Sequence, residues 1–245
     1  RFSNYGGLII MSKNIGCCIV TGHKRPDAAL VNRFRELPVA NIDDCMNRTA
    51  AVHQNIRPMN SAKLLGPAFT VKVPQGDNLM FHKAMDLAMP GDVIVIDAGG
   101  MDNRAIFGEL MVQYCKLRGI AGVIVDGTIR DYDTISQMDF PVYARGINPN
   151  GPYKNGPGEI GTTISFGGQI VRPGDIIAGD ADGIIVIRPE EAEELANQAD
   201  AVLKKEAGIM ETMETAGTYS RPWVDEKLKE LGCEYMTDEE RRAYL

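Results

Sequence analysis

Histidine is scarce in this chain: three residues in 245, His23, His53 and His82, and no H-x-x-x-H pair. A zinc hydrolase built on paired imidazoles is disfavoured, and any metal here would be held by oxygen. Cysteine is sparse and irregular. Cys17, Cys18, Cys45, Cys115 and Cys233 are odd in number, two are adjacent, and no C-x-x-C occurs. That is neither a disulfide framework nor a zinc pattern, and it suggests the reduced thiols of a cytoplasmic protein. No apolar run approaches the ~20 residues that span a bilayer, so no membrane partner is expected. Basic residues are outnumbered, 26 Lys and Arg against 33 Asp and Glu, for a formal charge of −7. Such a surface repels phosphate backbones, which argues against nucleic acid as a partner. The phosphate-cradling spacings G-x-G-x-x-G and G-x-x-x-x-G-K-[ST] are missing, and nothing resembles a glycine-rich adenosylmethionine loop.

What is present is an ordinary globular composition, 44% hydrophobic, in a chain long enough for a substantial core. Residues 1–10, RFSNYGGLII, precede Met11 and are expected to be a non-native or disordered leader. PDAALVNRFREL (26–37) has helical spacing, and a second short helix is expected from Asn41 or Asp43. GPAFTVKVP (66–74) alternates as a strand does. Asp77 or Asn78 can cap the helix NLMFHKAMDLAM. Then VIVID (93–97) predicts a buried strand, AGGMDN a loop, AIFGELMVQYCKLRG (105–119) a helix ended by Gly119, and GVIVD (122–126) a second buried strand. DTISQM and FPVYARG continue the alternation, which predicts right-handed parallel crossovers. After the Gly-, Pro- and Asn-rich stretch 147–162, the short strands GGQIV, DIIAG and GIIVI favour antiparallel pairing. PEEAEELANQADAVLKKEAG (189–208) is a helix with acids first and lysines last, and a final short helix is expected near 225–231. The expected division is a single mixed α/β domain over 11–208 and a helical extension over 209–245, placed at a subunit interface.

Three places offer chemistry. Gly99-Gly100 after VIVID is a strand-to-helix turn that could cradle phosphate or only turn the chain. In Gly108-Glu109-Leu110-Met111, the glycine costs about 1 kcal/mol if it lies inside a helix. Either the helix begins there, leaving the Leu110 and Met111 amides free to bind a carboxylate or enolate oxygen, or Gly108 only allows close packing. Arg130-Asp131 follows GVIVD. Asp131 could cap the next helix and Arg130 could be a surface ion pair. Alternatively, Glu109, Arg130 and Asp131 follow consecutive strands and meet at one sheet edge, where two carboxylates, amides and a guanidinium suit Mg²⁺ or Mn²⁺ with a small oxoacid. Weaker candidates are Asp43-Asp44 as helix caps, GDADG (179–183) as a turn, and His53, His82 and Lys154 near loops.

GPAFTV, PGDVIVIDAGG, FGELM, LRGIAGVIVDGTIRD, FPVYARG and VRPGDIIAGDADGIIVI, in this order, resemble the RraA-like / 4-hydroxy-4-methyl-2-oxoglutarate aldolase family over residues 30–210. The composite G-E-L-(L/M)…R-G-x-x-G-x-x-x-D-G-x-x-R-D carries the resemblance. It implies a swivelling β/β/α three-layer domain with a mixed sheet, assembled as homotrimers or hexamers with active sites at subunit boundaries. It also implies a divalent-metal-dependent class II aldolase that splits 4-hydroxy-2-oxoacids to pyruvate, with oxaloacetate decarboxylase activity. By motif, Asp131 is the metal ligand and Glu109 holds metal-bound water. The amides of Gly108, Glu109, Leu110 and Met111 bind the pyruvyl carboxylate, and Arg130 binds substrate and stabilises the enolate. One branch, the regulators of a ribonuclease, lacks the Asp after the Arg, and this chain keeps it. The aldolases also use a carboxylate from the C-terminal region of a neighbouring subunit. Thr218 stands at the matching position here, with Glu206, Glu211 and Glu214 nearby as substitutes.

Overall fold

A computed structural model of the chain describes residues 14–243, with the backbone also at 4–5 and 8–9. The expected leader lies largely outside the described residues. Its described backbone is a short antiparallel pair, β1 (Asn4–Tyr5) and β2 (Leu8–Ile9). The residues fall into two units, 1–201 and 202–245.

In the first unit, β3 (Cys17–Ile19) leads to α1 (Ala28–Asn32) and α2 (Val39–Cys45). The Asp27 carboxylate caps α1 on Ala29 N, and Asp180 accepts from Val39 N at the start of α2. Pro38, not Asn41 or Asp43, precedes that second helix. β4 (Arg57–Pro58), β5 (Leu64–Lys72) and α3 (Leu79–Leu87) follow. β6 (Val93–Phe107), α4 (Glu109–Leu117) and β7 (Gly122–Ile129) form the central crossover. α5 (Tyr132–Ile135) then leads to β8 (Val142–Ala144) and β9 (Gly146–Ile147). The unit continues with β10 (Gly158–Ile160), the hairpin of β11 (Ile164–Phe166) and β12 (Gln169–Val171), β13 (Ile176–Gly179) and β14 (Ile184–Ile187). β5, β6, β7 and β8 pair in parallel, as the alternating strand and helix patterns predict. β13 pairs antiparallel with both β14 and β5, which makes the sheet mixed.

Side-chain alternation sorts the sheet into two faces. Phe69, Val71, Ile94, Ile96, Val123 and Val125 meet Phe81, Ala84, Val112 and Cys115 of α3 and α4. Ala68, Val93, Val95 and Ile124 turn the other way, onto Ile164, Phe166, Val171, Ile177 and Val186. Helices therefore cover one face and β-structure the other, in the β/β/α layering. Every residue of β7 is buried, and each fully buried Val or Ile contributes roughly 1.5–3 kcal/mol of transfer free energy.

Two stretches of β6 differ from expectation: AGGMDN, expected as a loop, lies within the strand, where the pairing with β7 shifts register. Ala105–Phe107, expected as helix, extend β6 and pair with β7 as Ala105 with Thr128 and Phe107 with Ile129. Their side chains are buried, and the ladder to β7 outweighs their helical propensity. α6 (Ala192–Ala216) runs past its expected end at 208, and α7 (Pro222–Glu230) is the short helix expected near 225. α8 (Asp238–Arg242) was not anticipated, although Thr237 and Glu240 form a capping box there. Among the described residues no helix is long and apolar enough to cross a membrane.

His23 lies against Phe69 with ring centroids 5.5 Å apart, and among the described residues neither buried ring nitrogen has a partner. Burial, then the Arg25 charge, lower its pKa, with Asp92 opposing. The unfolded chain thus takes up this proton first, and stability falls as pH drops below the ordinary value of 6.5. In thermal melts between about pH 7.5 and about pH 5.5, His23→Phe should lose less Tm than the wild type, whereas equal losses would refute the assignment.

Candidate functional site

The carboxyl ends of β6 and β7 lie side by side, held by Arg130 N donating to Phe107 O at 3.0 Å. Each strand hands the chain straight to a helix, so the residues that follow them share one edge of the sheet. Gly108 stands between β6 and α4 in an extended conformation, φ −143° and ψ −164°. A Cβ there would collide with the Asp131 carboxylate and sit 2.9 Å from Arg130 Cγ. α4 thus begins just after Gly108, whose bare Cα admits the neighbouring turn.

Asp131 stands at the N-terminal boundary of α5 yet makes no capping bond. Its backbone is left-handed, φ 57°, a conformation that costs a non-glycine residue roughly 1–2 kcal/mol. That turn sends the carboxylate across to α4, where Oδ2 accepts from Glu109 N at 2.9 Å. The helix-cap alternative for Asp131 is thereby overturned. Strain at a polar residue beside a cleft is a recurrent mark of a functional position. Arg130 Nε lies 3.8 Å from Asp131 Oδ2, and both side chains keep nearly half their surface open. A weak, exposed pair of this kind leaves each charge available to a ligand.

The next two amides of α4 are also open to a ligand. Leu110 N and Met111 N lie in the first turn, where the carbonyls four residues back belong to Ile106 and Phe107. Ile106 O already accepts from Asn78 Nδ2 at 2.8 Å, and Phe107 O from Arg130 N. Leu110 and Met111 line a cleft of about 250 Å³, together with Gly108, Arg130 and Asp131. Asn78, His82 and Lys154 complete it, with Gly151 and Pro152 of the 147–162 loop. Burial, then Lys154, lower the pKa of His82, and Asp86 opposes them. Glu109 takes part through its amide, and its side chain does not line this cleft.

Other candidates stand elsewhere. Gly99 and Gly100 turn the chain within β6 against Gln75 and Arg145. His53 Nδ1 accepts from Asn55 N, and Asp180 N closes the GDADG turn on Gly183 O. Asp43 accepts from Ala50 N, and Asp44 pairs with Arg48. Glu206, Glu211, Glu214 and Thr218 belong to the second unit. A larger hollow of about 570 Å³ lies beside Lys24 and Arg172, but its guanidiniums are already committed, Arg25 to Asp92 and Arg172 to Glu190. The sequence offers Asn78 as a helix cap, as it does Asp77. Asp77 supplies that cap on Leu79 N, and Asn78 points inward. The available signal was the four-residue spacing of Asn78 and His82 on one helix face.

Among the described residues no three His, Cys, Asp or Glu side chains cluster as a metal cage. A lone, half-exposed carboxylate beside a cleft suits a hard cation that keeps several waters and takes the rest of its ligands from substrate.

The collision at Gly108 is testable. Gly108→Ala should lower the urea midpoint, by an overpacking cost of about 1–3 kcal/mol. The loss should shrink in an Asp131→Gly background, and an equal loss in both backgrounds would mean that the two residues do not touch.

Residues 39–186 match the family model RraA-like, Aldolase/RraA. A protein of Halalkalibacterium halodurans named "Putative 4-hydroxy-4-methyl-2-oxoglutarate aldolase" is 43% identical over 170 residues, 69% of this chain and 81% of that one. A crystal structure of an uncharacterized protein from Pseudomonas syringae has a TM-score of 0.72 at 23% identity, covering 80% of this chain and 98% of the other. Streptomyces coelicolor RraAS2, described as an unusual member of the RNase ES inhibitor RraA family, has a TM-score of 0.66 at 26% identity, covering 76% and 100%. On the family match and the shared fold, the chain belongs to the RraA-like family, Aldolase/RraA.

Proposed function

We propose that this protein is a divalent-metal-dependent carbon–carbon lyase. It would cleave a 4-hydroxy-2-oxoacid of the 4-hydroxy-4-methyl-2-oxoglutarate type to pyruvate and a second oxoacid, and would also decarboxylate oxaloacetate. The observation that carries the reading is Asp131, turned from its helix-capping position into the cleft and held there by the Glu109 amide beside Arg130. The aldolase name of the 43% identical relative supports the same chemistry.

The Leu110 and Met111 amides, at the positive end of α4, would receive the substrate carboxylate. Arg130 would pair with the 2-oxo oxygen as charge develops on it. Asp131 would hold Mg²⁺ or Mn²⁺, which supplies Lewis-acid polarisation of the 2-oxo group. In aldol cleavage the 4-hydroxyl loses its proton, the C3–C4 bond breaks, and its electron pair passes into the pyruvate enolate. The enolate then takes a proton at C3. Among the described residues that line the cleft, Asp131 is the one acid, so water would carry both protons. Lys154 would attract a second carboxylate of the substrate. His82, its pKa lowered, would enter as neutral imidazole at neutral pH.

The same reading makes the protein a cytoplasmic homotrimer or hexamer. Leu110, Tyr114 and Leu117 lie exposed along one face of α4 beside the cleft, which supports coverage by another copy. The competing reading, a regulator that binds a partner ribonuclease, draws on the likeness to the RNase ES inhibitor fold. It gives Asp131 no role.

Asp131→Ala and Arg130→Ala should each abolish pyruvate release from oxaloacetate and from 4-hydroxy-4-methyl-2-oxoglutarate while the melting temperature holds. EDTA should silence the wild type, and Mg²⁺ or Mn²⁺ should restore it. Undiminished pyruvate release by Asp131→Ala in EDTA would sink the scheme.

A further inference from the structure

The loop at 147–157, INPNGPYKNGP, forms one wall of the cleft through Gly151, Pro152 and Lys154. Most of it lies outside strands and helices, so tertiary bonds must hold it. On one side, Asn148 Nδ2 and Asn150 Nδ2 donate to Asp102 O and Asn103 O at 2.8 and 3.1 Å. Ala105 N returns a bond to Asn150 O at 2.8 Å. On the other side, the buried Asp77 carboxylate accepts from Asn155 N and Gly156 N. Tyr153 N donates to Gly76 O, and Tyr153 O accepts from Asn78 N.

Between these ties stands Arg104, on β6. Its Nη1 donates to Gly151 O and its Nη2 to Tyr153 Oη, both at 2.9 Å. The guanidinium carbon lies 4.2 Å from the centre of the Tyr153 ring. Gly76 makes room for the stem, since a Cβ there would lie 2.9 Å from Arg104 Cδ. Arg104 does not line the cleft, but both residues it grips do consequential work. Gly151 lies so close to Arg130 that an added Cβ would stand 3.3 Å from Nη1, and Tyr153 immediately precedes Lys154. Two aimed bonds plus stacking need a planar fork, which lysine lacks.

We propose that Arg104 is a positioning residue for the lyase site: by clamping Gly151 and Tyr153 it holds the cleft wall that carries Lys154 and braces Arg130, and so sets substrate affinity. The inference rests on the lyase reading. Its gain is preorganisation, because a wall already in place spares the substrate the cost of ordering it.

The test is steady-state pyruvate release from 4-hydroxy-4-methyl-2-oxoglutarate with Mg²⁺, alongside thermal melts. Arg104→Met should raise KM about tenfold or more, with a smaller fall in kcat and a near-native melting temperature. Arg104→Lys should fail to rescue it. Tyr153→Phe, which deletes one bond, should raise KM less. Combined with Lys154→Met, Arg104→Met should raise KM by a smaller factor than it does alone, because part of its effect runs through Lys154. Unchanged KM in Arg104→Met, full additivity with Lys154→Met, or rescue by Arg104→Lys would overturn the proposal while leaving the lyase reading standing. A wild-type chain without metal-dependent pyruvate release would overturn both.

Discussion

A side-chain hydrogen bond ties the two ends of the central crossover across their backbone pairing: Glu109 N to the Asp131 carboxylate. The candidate site depends on it. It requires a residue without a side chain at Gly108, because a Cβ would occupy the space of the carboxylate. It goes with a left-handed backbone at Asp131 in place of the extended one from which a capping side chain bonds its own helix. It also requires β6 and β7 to be neighbours in parallel, so that their carboxyl ends coincide. The sheet supplies that alignment from a run of buried β-branched residues, and the energy of that burial can support a locally strained turn.

The surroundings of this bond divide the labour. The amides of α4 offer a concentrated positive end, and Arg130 and Lys154 add full charges on either side. Asp131 is the one carboxylate in the lining, so the cleft is cationic in an otherwise acidic protein. In the lyase reading proposed above, this lining would draw a small oxoanion. The 147–157 loop closes this arrangement from outside the sheet. Its hydrogen bonds go to β6 and to the turn before α3, so the strand that leads into α4 also holds this loop.

Much of the fold was legible in the sequence. VIVID and GVIVD announce buried parallel strands, and the short β-rich segments after 162 announce antiparallel ones, because periodicity and turn residues act locally. Ala105–Phe107 were not legible as strand, since three apolar residues before a helix fit either state and only the ladder to β7 decides. The capping box at Thr237 could have been found, whereas the inward turn of Asn78 depends on the distant Ile106 carbonyl.

The site shows the same division. The sequence by itself determined which chemical groups are available: Gly108-Glu109-Leu110-Met111 after one strand, Arg130-Asp131 after the next, and no H-x-x-x-H or C-x-x-C spacing. It could not decide whether Asp131 caps its helix or serves the cleft, because both need the same residue at the same position. Only the tertiary structure decided, through a φ of 57° and an amide donor 22 residues away in the chain. Arg104 is the stronger case. No spacing marks it, since its partners lie 47 and 49 residues further along, and its role follows wholly from where the loop returns to the sheet.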